Sequence, residues 1–216
     1  MPVMPMFPLG MVLLPGGVLP LHVFEDRYLR MFRDILADDE RPPEFGVALI
    51  TKGREAGGGD ERALVATSAR ILDMQATPDG RYVLAAVGTD RLRVNAWLPD
   101  DPYPVADVDV WADADVGHDA SAASTTDDEA RRARLARARA RILDLNALAA
   151  ELGDETAPPS DISDDPLLAV YHLGSLAPLG PSDRYRMLAA PGLDERLDVL
   201  DDALDDVAAV LEFRRS

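Results

Sequence analysis

The chain has 216 residues, 47% hydrophobic and 28% charged, enough for one large domain or two small ones with a real core. Its net charge is −17 with a pI near 4.4, a field that repels phosphate backbones and disfavours nucleic acid and anionic membranes as partners. The absence of cysteine excludes disulfides, thiolate metal sites and a cysteine nucleophile.

Residues 1–24 contain no Lys, Arg, Asp or Glu. Hydropathy alone would read them as a membrane span. Pro2, Pro5, Pro8, Pro15 and Pro20 each remove a backbone donor, and Gly10, Gly16 and Gly17 add breaks. A helix in lipid must satisfy its own backbone, so the spacing argues against a span. The stretch lacks the basic start and small-residue cleavage site of a secretory signal. It reads as short buried strands opening a folded domain. With no cysteine and no targeting signal, the cytoplasm is the expected compartment.

Glu25 to Asp38 reads as a helix. Tyr28, Met31, Phe32 and Ile35 share one side, and Arg27, Arg30, Arg33 and Asp34 the other. Glu25 and Asp26 suit the positive end of its dipole. FGVALI, 45–50, is the next strand, and KGREAGGGDER, 52–62, a flexible tip. Asp79-Gly80 separates RILDMQAT from RYVLAAV, a hairpin signal because glycine tolerates positive φ. Leu92, Val94 and Ala96 alternate with Arg91, Arg93 and Asn95, and Ala106, Val108 and Val110 alternate with Asp107 and Asp109. Period-two alternation means strands with one buried face. Trp97 and Trp111 end two of these runs as anchors of a barrel end, a ligand stack being the alternative.

DADVGHDASAASTT, 113–126, is small, polar and aperiodic, a linker between lobes. Beyond it the period becomes helical. Thr126 and Glu129 make a capping box, and Leu135, Ala138, Ile142, Leu145, Ala149 and Leu152 repeat at spacings of three and four up to Gly153. Pro166 opens a second helix through Leu176, since proline fits the first helical position. Ser182 to Ala189 is a third. The last begins near Asp194 and repeats Leu197, Leu200, Leu204, Val207 and Leu211. Short connections imply an antiparallel bundle. The fold class is α+β, with strands in 1–112, the linker 113–126, and helices in 127–216.

Little in the chain points to catalysis. The phosphate-cradling G-x-x-x-x-G-K-[ST] and the G-x-S-x-G elbow are both missing. Lys52, the chain's one lysine, borders a glycine-rich tip and reads as a solvated side chain. His22, His118 and His172 are far apart, without the spacing that sets two ligands on one helix face, and read as structural or solvated. SDISDDP, 160–166, puts Pro166 where a calcium loop needs glycine and His172 where it needs glutamate. No metal and no cofactor is expected. Asp201, Asp202, Asp205 and Asp206 read as the wet face of the last helix. The arginines at 131, 132, 134, 137, 139 and 141 spread around their helix, with Asp127 and Asp128 four residues before an arginine, and read as a solvated, internally paired surface.

Four segments carry a family resemblance: PMFPLGMVLLPGGVLPLHVFEDRYLRMFRD, FGVALI, DGRYVLAAVGTDRLRV and PYPVADVDV. In order and interval they resemble the N-terminal substrate-binding domain of Lon proteases. LGSLAPLGPSDRYRMLAAPGLDERLDVLDDAL is similar to the helical part that follows there. Ala66 stands where that family would place a glycine. The resemblance implies a PUA-like β pseudobarrel followed by a helical bundle, and a domain that works by contact with other polypeptides. The chain departs from the Lon pattern in lacking the ATPase and protease domains, so a stand-alone form of the N-terminal domain is expected.

The expected function is a noncatalytic protein- or peptide-binding module, an adaptor or regulator of proteolysis, with a polypeptide or unfolded protein as partner. The apolar stretch 4–24 exceeds what a small barrel hides, and left-over patches mark partner sites. An exposed barrel edge is a second route, accepting an extended peptide strand. Glu25, Asp26 and Arg27 end that stretch at a helix start and are the candidate peptide-binding residues, against a reading as helix cap and surface ion pair. The alternative function is RNA or modified-nucleotide binding through the PUA-like barrel. The sequence leaves the oligomeric state open.

Overall fold

The computed structural model describes residues 3–38, 40–55, 59–114, 125–158 and 161–216. Most of the expected linker, with His118, lies outside the described residues, as do residues 56–58 of the expected tip. The chain divides into two compact units, residues 1–112 and 113–216.

The first unit holds six strands and one helix: β1 (Val3–Leu9), β2 (Val18–Val23), α1 (Asp26–Ala37), β3 (Glu44–Lys52), β4 (Glu61–Ala76), β5 (Tyr82–Trp97) and β6 (Val105–Val110). The sheet runs β2-β5-β4-β3-β1-β6, and β6 also pairs with β5, so five strands close into a ring. Closure is possible because β4 and β5 are long enough to serve two surfaces. Residues 92–97 of β5 lie in the ring against β6, and residues 82–87 run beyond it against β2. The turn between β4 and β5 carries Gly80 at φ 80°, as the Asp-Gly pair predicts.

Two apolar cores follow. Met6, Ala48, Ala66, Leu92, Ala106 and Val108 fill the ring. Small residues dominate there because a five-stranded ring leaves little interior. The second core lies where α1 covers the extended end of the sheet. Tyr28, Met31 and Phe32 of α1 pack on Phe7, Phe45 and Leu84, with Phe32 edge-on to Phe45 at 5.2 Å between ring centroids. Burying each of these side chains is worth about 1.5–3 kcal/mol. Glu25 and Asp38, at the two ends of the helix predicted from the sequence, are its caps.

The segment between β1 and β2 is held from below. Thr67 Oγ1 donates to the Leu13 carbonyl at 2.6 Å, and Gly88 exchanges backbone bonds with Gly16 (2.8 Å) and Gly17 (2.9 Å). A Cβ on Gly88 would sit 2.5 Å from the Leu14 carbonyl oxygen, so the close approach requires glycine.

The second unit contains α2 (Thr125–Glu151), α3 (Pro166–Leu176), α4 (Pro181–Ala189) and α5 (Leu193–Arg215). Ile142, Leu145, Val170, Leu173, Leu197 and Leu200 form its core. Asp165 caps α3, its carboxylate accepting from Leu167 N at 3.0 Å. Gly153, at φ 89°, ends the turn after α2. The side chain of Thr126, half of the expected capping box, lies outside the described residues.

The aspartates of α5 lie on its solvent side, and arginines of α2 reach across to them. Arg131 pairs with Asp194 at 2.7 Å, Arg134 with Asp198 and Asp201 at 2.8 and 2.7 Å, and Arg141 with Asp205. Asp201 and Asp205 therefore belong to a ladder between two helices. Within α2, Asp128 and Arg131, three residues apart, make a long pair at 4.0 Å. Periodicity says which residues avoid the core. It is silent on which helix they face.

Candidate functional site

The sequence-nominated residues sit where β2 hands over to α1. Glu25 holds the N-cap position without a side-chain capping bond. Its carboxylate instead pairs with Arg27 Nη2 at 3.2 Å. Arg27 also donates to the Glu55 carbonyl at 3.1 Å, and its guanidinium lies 4.5 Å from the centroid of the Tyr28 ring. Glu55 in turn accepts from Gly10 N at 2.5 Å. Arg27 is thus drawn inward, while Asp26 is exposed in the first turn. Tyr28 is buried beneath them, and burial pushes its phenol up to about 12.

These residues adjoin a surface that periodicity alone missed. Alternate residues of β2 point outward: Val18 and Phe24 are 66% and 59% exposed, and Pro20 and His22 are exposed too. His22 is therefore not the structural histidine expected from its apolar surroundings. Across the ladder Val18 faces Val87, Pro20 faces Ala85, and His22 faces Val83. Val83 is 48% exposed, and Leu72 at a bulge in neighbouring β4 is 60% exposed. The outer face of β2 and β5, with Phe24 just beyond β2, is thus apolar from Val18 to Phe24 except for His22, with Glu25 next in the chain. The sequence does carry a signal for it. YVLAAV, 82–87, is apolar without alternation, so both faces of that segment are apolar.

Strand β2 has β5 as its one strand neighbour, so its far edge is open among the described residues. Gly88 bonds toward β2, and by alternation Leu19 and Leu21 bond to β5 while Pro20 takes the open edge. A proline there removes the central donor that an added strand would need. The geometry favours contact with the face over pairing with the edge.

The tryptophans are capped by arginines. Arg62 lies 4.9 Å from the Trp97 centroid and is held by Asp60 and Asp100, each at 2.6 Å. Arg91 and Arg93 lie 4.3 and 4.5 Å from the Trp111 centroid. Their rings serve guanidinium groups of the same unit. Among the described residues no group of three or more His, Cys, Asp or Glu could hold a metal ion, and no helix is long and apolar enough to cross a membrane.

A closed β ring with a helix-covered extension, followed by a helical bundle, defines the class: an α+β domain of the PUA-like pseudobarrel type. The family model for the substrate-binding domain of ATP-dependent protease La (LON) matches residues 3–206, and the chain belongs to that family. Among solved structures, a Lon N-terminal domain protein from Xanthomonas campestris is 26% identical with a TM-score of 0.59, covering 94% of this chain and 98% of that one. The N-terminal domain of the Mycobacterium avium complex Lon protease shares the fold at 17% identity, with a TM-score of 0.64 over 95% of this chain and 99% of that one. Lon protease 2 of Myxococcus xanthus is 31% identical over 115 residues, 51% of this chain and 13% of that protein. Lon protease of Anaeromyxobacter dehalogenans (strain 2CP-C) is 28% identical over 121 residues, 54% of this chain and 14% of that protein. The chain thus matches about one-seventh of the length of these two relatives. Membership places the chain among Lon-type substrate-binding domains.

Proposed function

We propose that this chain binds polypeptides on the outer face of β2 and β5, and acts as an adaptor or regulator of proteolysis in the cytoplasm. The observation that carries the reading is the apolar face formed by Val18, Pro20 and Phe24 with Val83, interrupted only by His22, on a protein of net charge −17. Exposed apolar patches rimmed by charge are partner surfaces. An unfolded segment presents apolar side chains without fixed shape, and a shallow face accepts many such sequences. Glu25, Asp26 and Arg27 form a polar rim, Asp26 being the one free to contact an incoming chain. The acidic field favours neutral or basic clients over acidic ones.

The test is fluorescence anisotropy with a labelled, permanently unfolded polypeptide of net charge near zero. Val83→Asp and Phe24→Ser are expected to weaken binding by about tenfold each, as for loss of a buried apolar anchor. Asp26→Asn is expected to change it less. Unaltered binding by both apolar variants, with folding intact by circular dichroism, would overturn the assignment of the face.

A further inference from the structure

The helical unit has a groove of its own, between α2 and α3. One wall is a stripe of α2: Arg132, Ala136, Arg139, Leu143, Ala147 and Ala150, all exposed, at spacings of three and four. Ile162, Leu173 and Leu176 line the other side. Two hollows of about 370 and 290 Å³ meet at Arg139. Leu143 is 58% exposed on this stripe. Deeper in, Asn146 donates to the Leu176 carbonyl at 3.0 Å, and its own carbonyl oxygen is buried without a donor among the described residues.

Length decides what class of occupant fits. Eighteen residues of helix separate Arg132 from Ala150, about 27 Å at 1.5 Å per residue. That is too long for a compact small molecule and suits a helix of five turns. Alanines on the stripe let a second backbone approach closely, and Leu143 supplies an apolar ridge. Charge decides the sign. Neighbouring Arg131, Arg134 and Arg141 are committed to α5, whereas Arg132 and Arg139 have no ion pair among the described residues. Among the described residues Asp164 is the one carboxylate lining the groove. Two unpaired guanidinium groups on a protein of net charge −17 mark a place for negative charge.

We infer that the α2–α3 groove docks an amphipathic helix of a partner protein, apolar on one side and carrying Asp or Glu where it meets Arg132 and Arg139. Leucine-like side chains of that helix fill the hollows beside Leu143 and Ile162. The inference concerns the helical unit alone and does not depend on the face of β2 and β5.

The probe is a synthetic amphipathic helix of about 20 residues with leucines at i, i+3, i+4 and i+7 and glutamates flanking them, titrated into the 216-residue chain. A companion peptide carries lysine in place of glutamate. The glutamate peptide is expected to bind, with affinity falling about tenfold in Arg139→Glu and about tenfold in Leu143→Asp. The lysine peptide is expected to bind wild type more weakly and Arg139→Glu more strongly. Both substitutions are at exposed positions, and circular dichroism checks the fold. Equal affinity for the two peptides, no binding, or binding insensitive to both substitutions would overturn the proposal. So would concentration-dependent self-association abolished by Leu143→Asp, which would make a second copy the occupant.

Discussion

Arg196 and Asp113 form an ion pair inside the helical unit: Nη2 lies 2.5 Å from Oδ1, with the arginine side chain fully buried and the aspartate 11% exposed. Arg196 also donates to the Met187 and Ala190 carbonyls at 3.2 and 3.3 Å, and stacks on Tyr171 at 4.1 Å. One side chain thus ties residue 113 to the end of α4 and the start of α5. Because it leaves a buried charge without its counter-ion, Arg196→Ala is expected to destabilise the helical unit by about 3–5 kcal/mol. Arg196→Lys is expected to recover only part, since an ammonium lacks the planar fork and stacks less well. Urea denaturation followed by circular dichroism measures both.

Gly88 and Gly80 separate two reasons for glycine. Gly88→Ala drives a methyl into the Leu14 carbonyl oxygen and is expected to cost about 1–3 kcal/mol, as for overpacking. Gly80→Ala meets open space and has only its positive φ of 80° to bear, about 1 kcal/mol. Gly88→Ala is therefore expected to cost more than Gly80→Ala in thermal denaturation, and a loss no larger than that of Gly80→Ala would contradict the assigned contact.

The ladder between α2 and α5 makes stability depend on acid. The hydrogen bond from Arg131 holds the Asp194 carboxyl below its ordinary value. A carboxyl depressed in the folded state contributes stability that is full above the unfolded value of about 3.9 and fades as pH falls through the lower folded value. Asp194→Asn is expected to reduce stability at neutral pH by less than about 1 kcal/mol, since the pair is exposed, and to flatten the acid limb of the profile. A steeper acid limb in the variant would contradict this.

His172 acts with the same sign at milder pH. Burial lowers its pKa, and its Nδ1 accepts from Ser163 N at 3.2 Å, which requires that nitrogen unprotonated. The contribution is full above the unfolded value of about 6.5 and is lost as pH falls below it. His172→Asn keeps an acceptor near the same place without a titrating proton. The wild type is expected to lose more stability than this variant between neutral pH and pH about 5.5. Parallel loss in both proteins would remove His172 from the account.

What could be read in advance divides by the range of the interaction. Local signals located the elements: Asp79-Gly80 marked the β4–β5 turn, Pro166 the start of α3, and the Leu197–Leu211 repeat the last helix. Partners distant in sequence were not legible. Asp201 and Asp205 look solvated from their own helix, and only the packing of α2 against α5 brings Arg134 and Arg141 to them. Asp113 looks like linker until Arg196, 83 residues on, meets it. The face around Val83 was hidden for a related reason. A strand apolar on both sides signals burial on both sides, yet α1 covers only the inner one.

Residue-resolved amide shift mapping of the chain with an unfolded polypeptide tests binding on the β2 and β5 face most directly. Perturbations are expected to cluster on Val18–Phe24 and Val83–Val87, with the ring interior around Leu92 and Ala106 undisturbed. Perturbations confined to other surfaces, with the β2 and β5 face silent at saturation, would contradict binding there.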